Sequence, residues 1–258
     1  MKTGIAVLAV MLAGAAVAAE DTAATVEQIV AKNIEARGGL AALKGIRSLR
    51  MTGTVSMGPA APAGLVMEFK RPRMVRQEFI ASGATGVAAF DGTVGWQLIP
   101  GAGKMVAERM SADDQREIEE QADVEGDLVD WKAKGSQVEL LGGEILSGVE
   151  TWKLRVTLKS GTVRTLWLDA GTFLEIQSES KRTTGGKEVE FVTTISDYRA
   201  VSGLRVPFQM ETRPKWGSTG QKIVLRTVEV NVPIENSRFR MPESKPEPRP
   251  APPAAPGS

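Results

Sequence analysis

The residues that carry most enzyme chemistry are missing from this chain. Among 258 residues there is no histidine and no cysteine. That removes the commonest general base, the commonest transition-metal ligands and the thiolate nucleophile. Carboxylates, lysines, hydroxyls and a single tyrosine, Tyr198, remain. Glu188 and Glu190 share one face of a strand pattern, an arrangement that suggests a glycosidase carboxylate pair. Charges alternating along a strand surface explain them more simply. Asp113, Asp114, Glu117, Glu119 and Glu120 form an acidic run without EF-hand loop spacing, and a solvated helix face accounts for it. Gly38-Gly39 and Gly142-Gly143 lack the context of a phosphate loop. Trp131, Trp152, Trp167 and Trp216 are dispersed, with no basic groove to make a base-stacking platform. The expectation is a protein that binds rather than catalyses, with no metal and no cofactor.

Charge narrows the partners. Formal net charge is +1, and the N-terminal leader described next carries one of the cations, Lys2, so the chain without it is neutral. There is no electrostatic footprint for nucleic acid and no strong attraction to an anionic membrane surface.

Residues 1–19 have the form of a secretory signal peptide. Lys2 is the positive region, Ile5 to Ala18 is an unbroken apolar and small run, and Ala16-Val17-Ala18 and Val17-Ala18-Ala19 both fit a cleavage site. The competing reading is a membrane anchor, but the run is short of the about 20 apolar residues a span needs and stops at Glu20-Asp21. An exported chain without cysteine has no disulfide framework and no lipoprotein attachment site. A periplasmic location follows.

Two helices and a long series of strands must position whatever the chain binds. Val26, Ile29, Val30 and Ile34 make one apolar stripe on a helix from Thr25 to Ala36, with Thr22 or Thr25 as cap and Gly38-Gly39 as stop. A short helical turn, Leu40 to Lys44, follows. Ser111 to Ala122 is a second, mostly polar helix whose Asp113 and Asp114 sit at its positive end. Between and after these, period-two patterns recur. Met51, Gly53, Val55 and Met57 share a face; so do Leu65, Met67 and Phe69, and Val75, Phe79 and Ala81. Asp91-Gly92 marks a hairpin with Trp96 just beyond. Trp152, Leu154, Val156 and Leu158 alternate with polar residues in a later strand. About ten or eleven strands with short turns make an antiparallel meander, since no helices alternate with them. After Met241 the sequence PESKPEPRPAPPAAPGS cannot bury apolar surface, so residues 242–258 form a disordered tail.

A sheet of that size curls or closes. The helices supply too few apolar residues to fill its concave face, which leaves an apolar cavity beneath a helical lid. Methionines at strand positions, Met51 and Met67 among them, suit irregular apolar partners, although each also serves as ordinary core filling.

The order of leader, helix, strands, Phe69-Lys70-Arg71-Pro72 and then Asp91-Gly92 with Trp96 resembles the periplasmic lipoprotein carriers, the LolA-like family, and the wider LolA/LppX-like lipid carriers. Arg37-Gly38-Gly39 and the stretch from Val232 to Pro242 are similar to the longer LolA-like proteins described as outer-membrane lipoprotein-sorting proteins. The resemblance covers residues from about Thr22 to Met241. It implies a single domain over residues 20–241, mainly β (α+β): a large curved antiparallel sheet forming an incomplete β-barrel, with helices as lid over the cavity. It implies acyl chains of lipoproteins or lipids as ligands, an ATP-driven inner-membrane transporter complex that loads them, and an outer-membrane acceptor. A monomer is expected. Arg71 falls where the family's arginine holds the lid closed, and Met51, Met67, Phe69, Val75, Phe79 and Trp96 are the cavity candidates. Val75 stands where those carriers have an aromatic residue. The alternative on the same scaffold is a sensor or regulatory domain of envelope-stress signalling; an enzyme using carboxylates alone ranks last.

Overall fold

The computed structural model describes residues 24–99, 106–184 and 187–243. The leader and all but the first two residues of the 242–258 tail lie outside the described residues. Thr25 caps α1 (Val26–Ala36) through a reciprocal pair: its hydroxyl accepts from the Gln28 amide, and its own amide donates to Gln28 Oε1 at 2.9 Å. Gly38 ends the helix at φ +119°, and a Cβ there would lie 2.3 Å from the Gly203 carbonyl oxygen. Only glycine lets this chain end dock, where the Arg205 amide donates to the Arg37 carbonyl at 3.0 Å. α2 (Leu40–Lys44) follows at once.

Two antiparallel meanders come next. The first runs β1 (Ser48–Met57), β2 (Ala63–Lys70), β3 (Met74–Ala81), β4 (Ala84–Phe90), β5 (Gly95–Leu98) and β6 (Ala107–Arg109). α3 (Ala112–Gln121), capped by Ser111, leads through an irregular segment to the second. That one runs β7 (Gln137–Leu146), β8 (Val149–Thr157), β9 (Val163–Asp169), β10 (Glu175–Thr184), β11 (Lys187–Val201), β12 (Leu204–Pro214) and β13 (Gln221–Val230). Pairing of β1 with β13 joins the two into one 13-stranded sheet, β6-β5-β4-β3-β2-β1-β13-β12-β11-β10-β9-β8-β7. Its ends, β6 and β7, do not meet, so the barrel is incomplete. Among the described residues the expected ten or eleven strands are therefore thirteen. One reason is β6, whose three residues are too few to show a period. Among the described residues no helix is long and apolar enough to cross a membrane.

Register decides which side chains face the helices. Leu49, Met51, Gly53 and Val55 of β1 face them with Phe69, Met67, Leu65 and Ala63 opposite on β2, and Val75 and Phe79 of β3 lie opposite Phe69 and Leu65. Three helix-side clusters result. α1 buries Ile29 and Val30 against Leu154, Val156, Leu166 and Leu168 of β8 and β9. α2 seats Leu43, with Ile46, over β1, β2, β12 and β13. α3 inserts Ile118 against Val75 and Phe90.

The other face carries a strap. Leaving β13, the chain crosses it as a short 3₁₀ turn, Asn236–Phe239. Lys70 donates to the Ile234 carbonyl at 2.6 Å, Arg238 pairs with Glu68 at 2.7 Å, and Trp96 Nε1 donates to the Phe239 carbonyl at 2.7 Å. Glu68 is almost wholly buried and holds a second arginine, Arg50, at 2.9 Å. A buried carboxylate needs such partners.

Candidate functional site

Between the helix-side face of the sheet and the helices lies a cavity of about 750 Å³, within the range of small-molecule sites. Its lining is divided. One wall is apolar: Leu43 of α2, Ile46, Leu49 and Met51 of β1, Met210 of β12 and Ile223 of β13. The other is polar, with Asn33, Arg37, Asp127, Arg164, Glu175 and Tyr198. The cavity expected from the sequence was apolar. The polar wall comes from residues on α1, β9, β10, β11 and the segment after α3, which no local pattern links.

The roof is α2, α3 and the segment that follows α3, and three sets of polar contacts fasten it. Arg73, in the turn before β3, pairs with Glu119 at 3.3 Å, and Gln77 of β3 donates from Nε2 to Gln121 at 2.8 Å. At the second meander, Arg182 pairs with Glu117 at 2.8 Å. There too Arg164 binds Glu120 at 2.8 Å and both oxygens of Asp127, at 2.7 and 3.0 Å. Ser160 and Thr162 hydroxyls each donate to Glu120 at 2.7 Å. The acidic helix face expected to be merely solvated is therefore the clamp between the roof and both halves of the sheet.

The third set centres on Arg71. Its guanidinium donates to the carbonyls of Leu43 at 3.3 Å and of Lys44 at 3.4 Å in the last turn of α2, and of Ile46 just beyond it. It also pairs with Glu125. Burial alone would raise the Glu125 carboxyl. The hydrogen bond and charge of Arg71, with Lys134 and Lys44 each 3.6 Å away, outweigh burial and hold it below the usual range.

On the polar wall the balance differs. Burial, reinforced by the Asp127 charge, pushes the Glu175 carboxyl up to about 7, against the opposing pull of Ser178, Arg37 and Arg164. Burial and the Glu175 charge raise Tyr198 well above its ordinary value, and its hydroxyl donates to the Glu175 carbonyl at 2.9 Å.

Of the residues singled out from sequence, Met51 lines the cavity. Met67 is buried in the cluster beneath α2, and Phe79 packs on that cluster. Phe69 bridges it to the cluster beneath α3, where Val75 is fully buried against Ile118 and Ala122. These four build the floor behind the cavity rather than its lining. Trp96 stands on the opposite face, packed with Val87, Ala89 and Met241, because it is one residue out of phase with Phe90 and Gly95. Arg71 lies at the roof. Glu188 and Glu190 are not a pair of free carboxylates: Glu188 binds Lys181 at 2.7 Å and Glu190 lies 3.4 Å from Lys215. Among the described residues no cluster of acidic side chains is arranged to hold a metal ion.

The sequence matches no protein-family model and no curated protein. Solved structures do match. A DUF1329 family protein from Desulfovibrio piger superposes with a TM-score of 0.59 at 12% identity, over 83% of this chain and 97% of that one. A LolA superfamily protein from Nitrosomonas europaea gives 0.58 at 13% identity, over 84% of this chain and 98% of that one. A domain provisionally described as an outer membrane lipoprotein-sorting protein, from Vibrio parahaemolyticus, gives 0.56 at 12% identity, over 81% and 94%. The open 13-stranded sheet, its helical roof and these superpositions together show that the chain has a LolA-like fold.

Proposed function

We propose that this protein is a periplasmic carrier that shelters acyl chains of lipids or lipoproteins on their way to the outer membrane, without catalysing a reaction. The observation that carries this reading is the roofed cavity of about 750 Å³, with a continuous apolar wall from Leu43 to Ile223. A roof held by side-chain contacts rather than by a covalent closure can open and reclose. The description of the Vibrio parahaemolyticus domain as lipoprotein-sorting supports the same direction.

Energetics define what such a carrier requires. Burying a chain is worth roughly 0.8 kcal/mol per CH₂, and a bilayer already offers that burial. Passive extraction therefore gains little. An energy-consuming inner-membrane partner must load the cavity, and an outer-membrane acceptor must empty it.

Gently purified protein, extracted and analysed by mass spectrometry, is expected to carry acyl-containing species, and the delipidated protein to take up a fluorescent fatty-acyl probe with saturable stoichiometry. Repeated absence of both would reject the carrier reading.

A further inference from the structure

The turns at the two ends of the strands differ in kind. Those that follow β2, β4 and β9 carry Arg71 and Arg73, Asp91, and Asp169. At the opposite strand ends, three hairpins that are neighbours in the sheet order, β3–β4, β1–β2 and β12–β13, have tips without a charged side chain. The tips read Ile80-Ala81-Ser82-Gly83-Ala84, Met57-Gly58-Pro59-Ala60-Ala61-Pro62 and Trp216-Gly217-Ser218-Thr219-Gly220. Trp216 is 90% exposed and Met57 67%, and Ile80 is exposed beside them. Ile99 and Val106, just outside β5 and β6 at the same strand ends, are exposed as well. The Gly58 amide donates to the Gly220 carbonyl at 3.1 Å, so the Met57 and Trp216 loops stand side by side. Lys215, next to Trp216, is balanced by Glu179 at 3.0 Å and Glu190 at 3.4 Å.

The cavity reaches solvent next to these tips. Its lining includes Lys181 and Glu188, both exposed, of the β10–β11 hairpin. That hairpin adjoins the Trp216 loop, where the Lys215 amide donates to the Glu190 carbonyl at 2.7 Å. The apolar wall extends the same way: Met210 and Ile223 face each other two residues before Thr212 and Gln221, the last pair of β12 and β13.

Exposed apolar side chains gathered at one place mark a contact surface. A folded protein partner is oriented by polar and charged groups around its footprint, and these tips offer no charge to orient it. Separate convex loops also give such a partner no groove to fill. A bilayer interface needs neither. It conforms to protruding loops, takes small and apolar side chains, and favours tryptophan, whose ring is apolar with one polar edge. We infer that this end of the sheet seats on a lipid bilayer, with Trp216 and Met57 in the interfacial region and the mouth of the cavity held against the lipid surface. The attachment is apolar rather than electrostatic, in keeping with a chain of balanced charge. The inference deepens the carrier reading, on which the use of the mouth rests, by placing the point at which cargo passes between membrane and cavity.

The test is partition onto vesicles. The purified protein is expected to co-sediment with dioleoylphosphatidylcholine vesicles, to an extent that neither added salt nor an equimolar share of dioleoylphosphatidylglycerol changes much. Trp216→Ser is expected to weaken partition about tenfold, the equivalent of roughly half the burial energy of a large apolar side chain. Met57→Ser should weaken it several-fold. Ile145→Ser is the control: Ile145 is 73% exposed, but it lies in the β7–β8 hairpin at the opposite strand ends, and its loss should change nothing. Brominated phosphatidylcholine should quench part of the wild-type tryptophan emission and none of the emission that remains in Trp216→Ser. No partition, or partition weakened equally by Trp216→Ser and Ile145→Ser, would overturn the docking. So would salt-sensitive partition that survives Trp216→Ser. Dimerisation that requires Trp216, seen without lipid and in place of partition, would give the tips to a second copy of the chain and overturn it too. Uptake of a soluble fatty-acyl probe by the delipidated protein reads the carrier function separately. Uptake without partition would remove the docking and leave the carrier reading, whereas partition without uptake would keep the docking and reject the carrier reading.

Discussion

Arg71 and Glu125 meet beneath the roof, and each supplies what the other lacks. Arg71 caps the carbonyls at the end of α2, while Glu125, 3% exposed, needs a cation to be ionised there. One ion pair thus ties β2, α2 and the segment after α3 together. Lys44 and Lys134, at 3.6 Å, are weaker seconds.

Removing Arg71 should therefore cost more than a surface pair does. Arg71→Leu is expected to destabilise the fold by about 2 kcal/mol, below the 3–5 kcal/mol typical of breaking a buried pair because two lysines remain. The double variant with Glu125→Leu should recover part of that loss. Urea denaturation of the four proteins gives the cycle; a double variant less stable than the sum of the singles would contradict the pairing. If the pair also governs opening, the fluorescent acyl probe should leave Arg71→Leu several-fold faster.

The clamp at the second meander makes a graded prediction. Arg164 is mostly buried and engages two carboxylates, while the Arg182–Glu117 pair is about one-third exposed. Exposed pairs contribute about 0–1 kcal/mol. Arg164→Met is expected to lower stability by about 2–3 kcal/mol and to speed probe release, and Arg182→Gln to change both only slightly. Equal effects of the two substitutions in denaturation and stopped-flow release would remove Arg164 from its place as the main fastener.

How much of this the chain displayed in advance depended on distance along it. Thr25 with Gln28, Ser111 with Asp114, and the Asp91-Gly92 turn are local, and the elements they start or join appear where the pattern puts them. The partner of β1 is β13, about 175 residues away, and no periodicity shows that pairing. Trp96 shows the limit of a motif: being a single residue out of step with Phe90 placed it on the strap side of the sheet. The polar wall was hidden for the same reason as β13. Asn33, Arg37, Arg164, Glu175 and Tyr198 are each unremarkable surface types in their own segments, and only the curl of the sheet brings them together.

Glu175 should give the cavity a pH signature. Its folded value, about 7, lies above the ordinary carboxylate value near 4.5 that holds when the chain is unfolded. The groups acting on it are Asp127, Arg37, Arg164 and Ser178. With the folded value raised, the unfolded state releases its proton first. The stability associated with this group is present in full below about 4.5 and is lost as pH rises through about 7. Glu175→Gln, which keeps a neutral polar side chain, is expected to flatten the thermal midpoint between pH 5 and 8. A wild-type midpoint that is flat or rises across that window, or a variant that keeps the same slope, would exclude Glu175 as its source.

The seam between the two meanders makes the sharpest demand on a single residue. At Gly53 of β1 the register with β13 shifts, Thr52 facing Thr227 and Gly53 facing Leu225, so that Arg226 is the extra residue on β13. The backbones close up at that point: a Cβ on Gly53 would lie 2.2 Å from the Val224 carbonyl oxygen and 2.8 Å from Leu225 Cα. Neither neighbour is a flexible side chain, so the strands themselves must separate. Gly53→Ala is expected to destabilise by about 2–3 kcal/mol, at the upper end of overpacking costs because backbone must move. Gly83→Ala is a control that meets no atom within 4 Å, so its penalty comes from its positive φ alone and should be smaller. β1 and β13 both line the apolar wall, through Met51 and Ile223. Gly53→Ala should therefore also weaken acyl-probe binding, whereas Gly83→Ala should not. If denaturation and probe titration rank the two glycines in the opposite order, the seam is not what sets the curvature of the cavity.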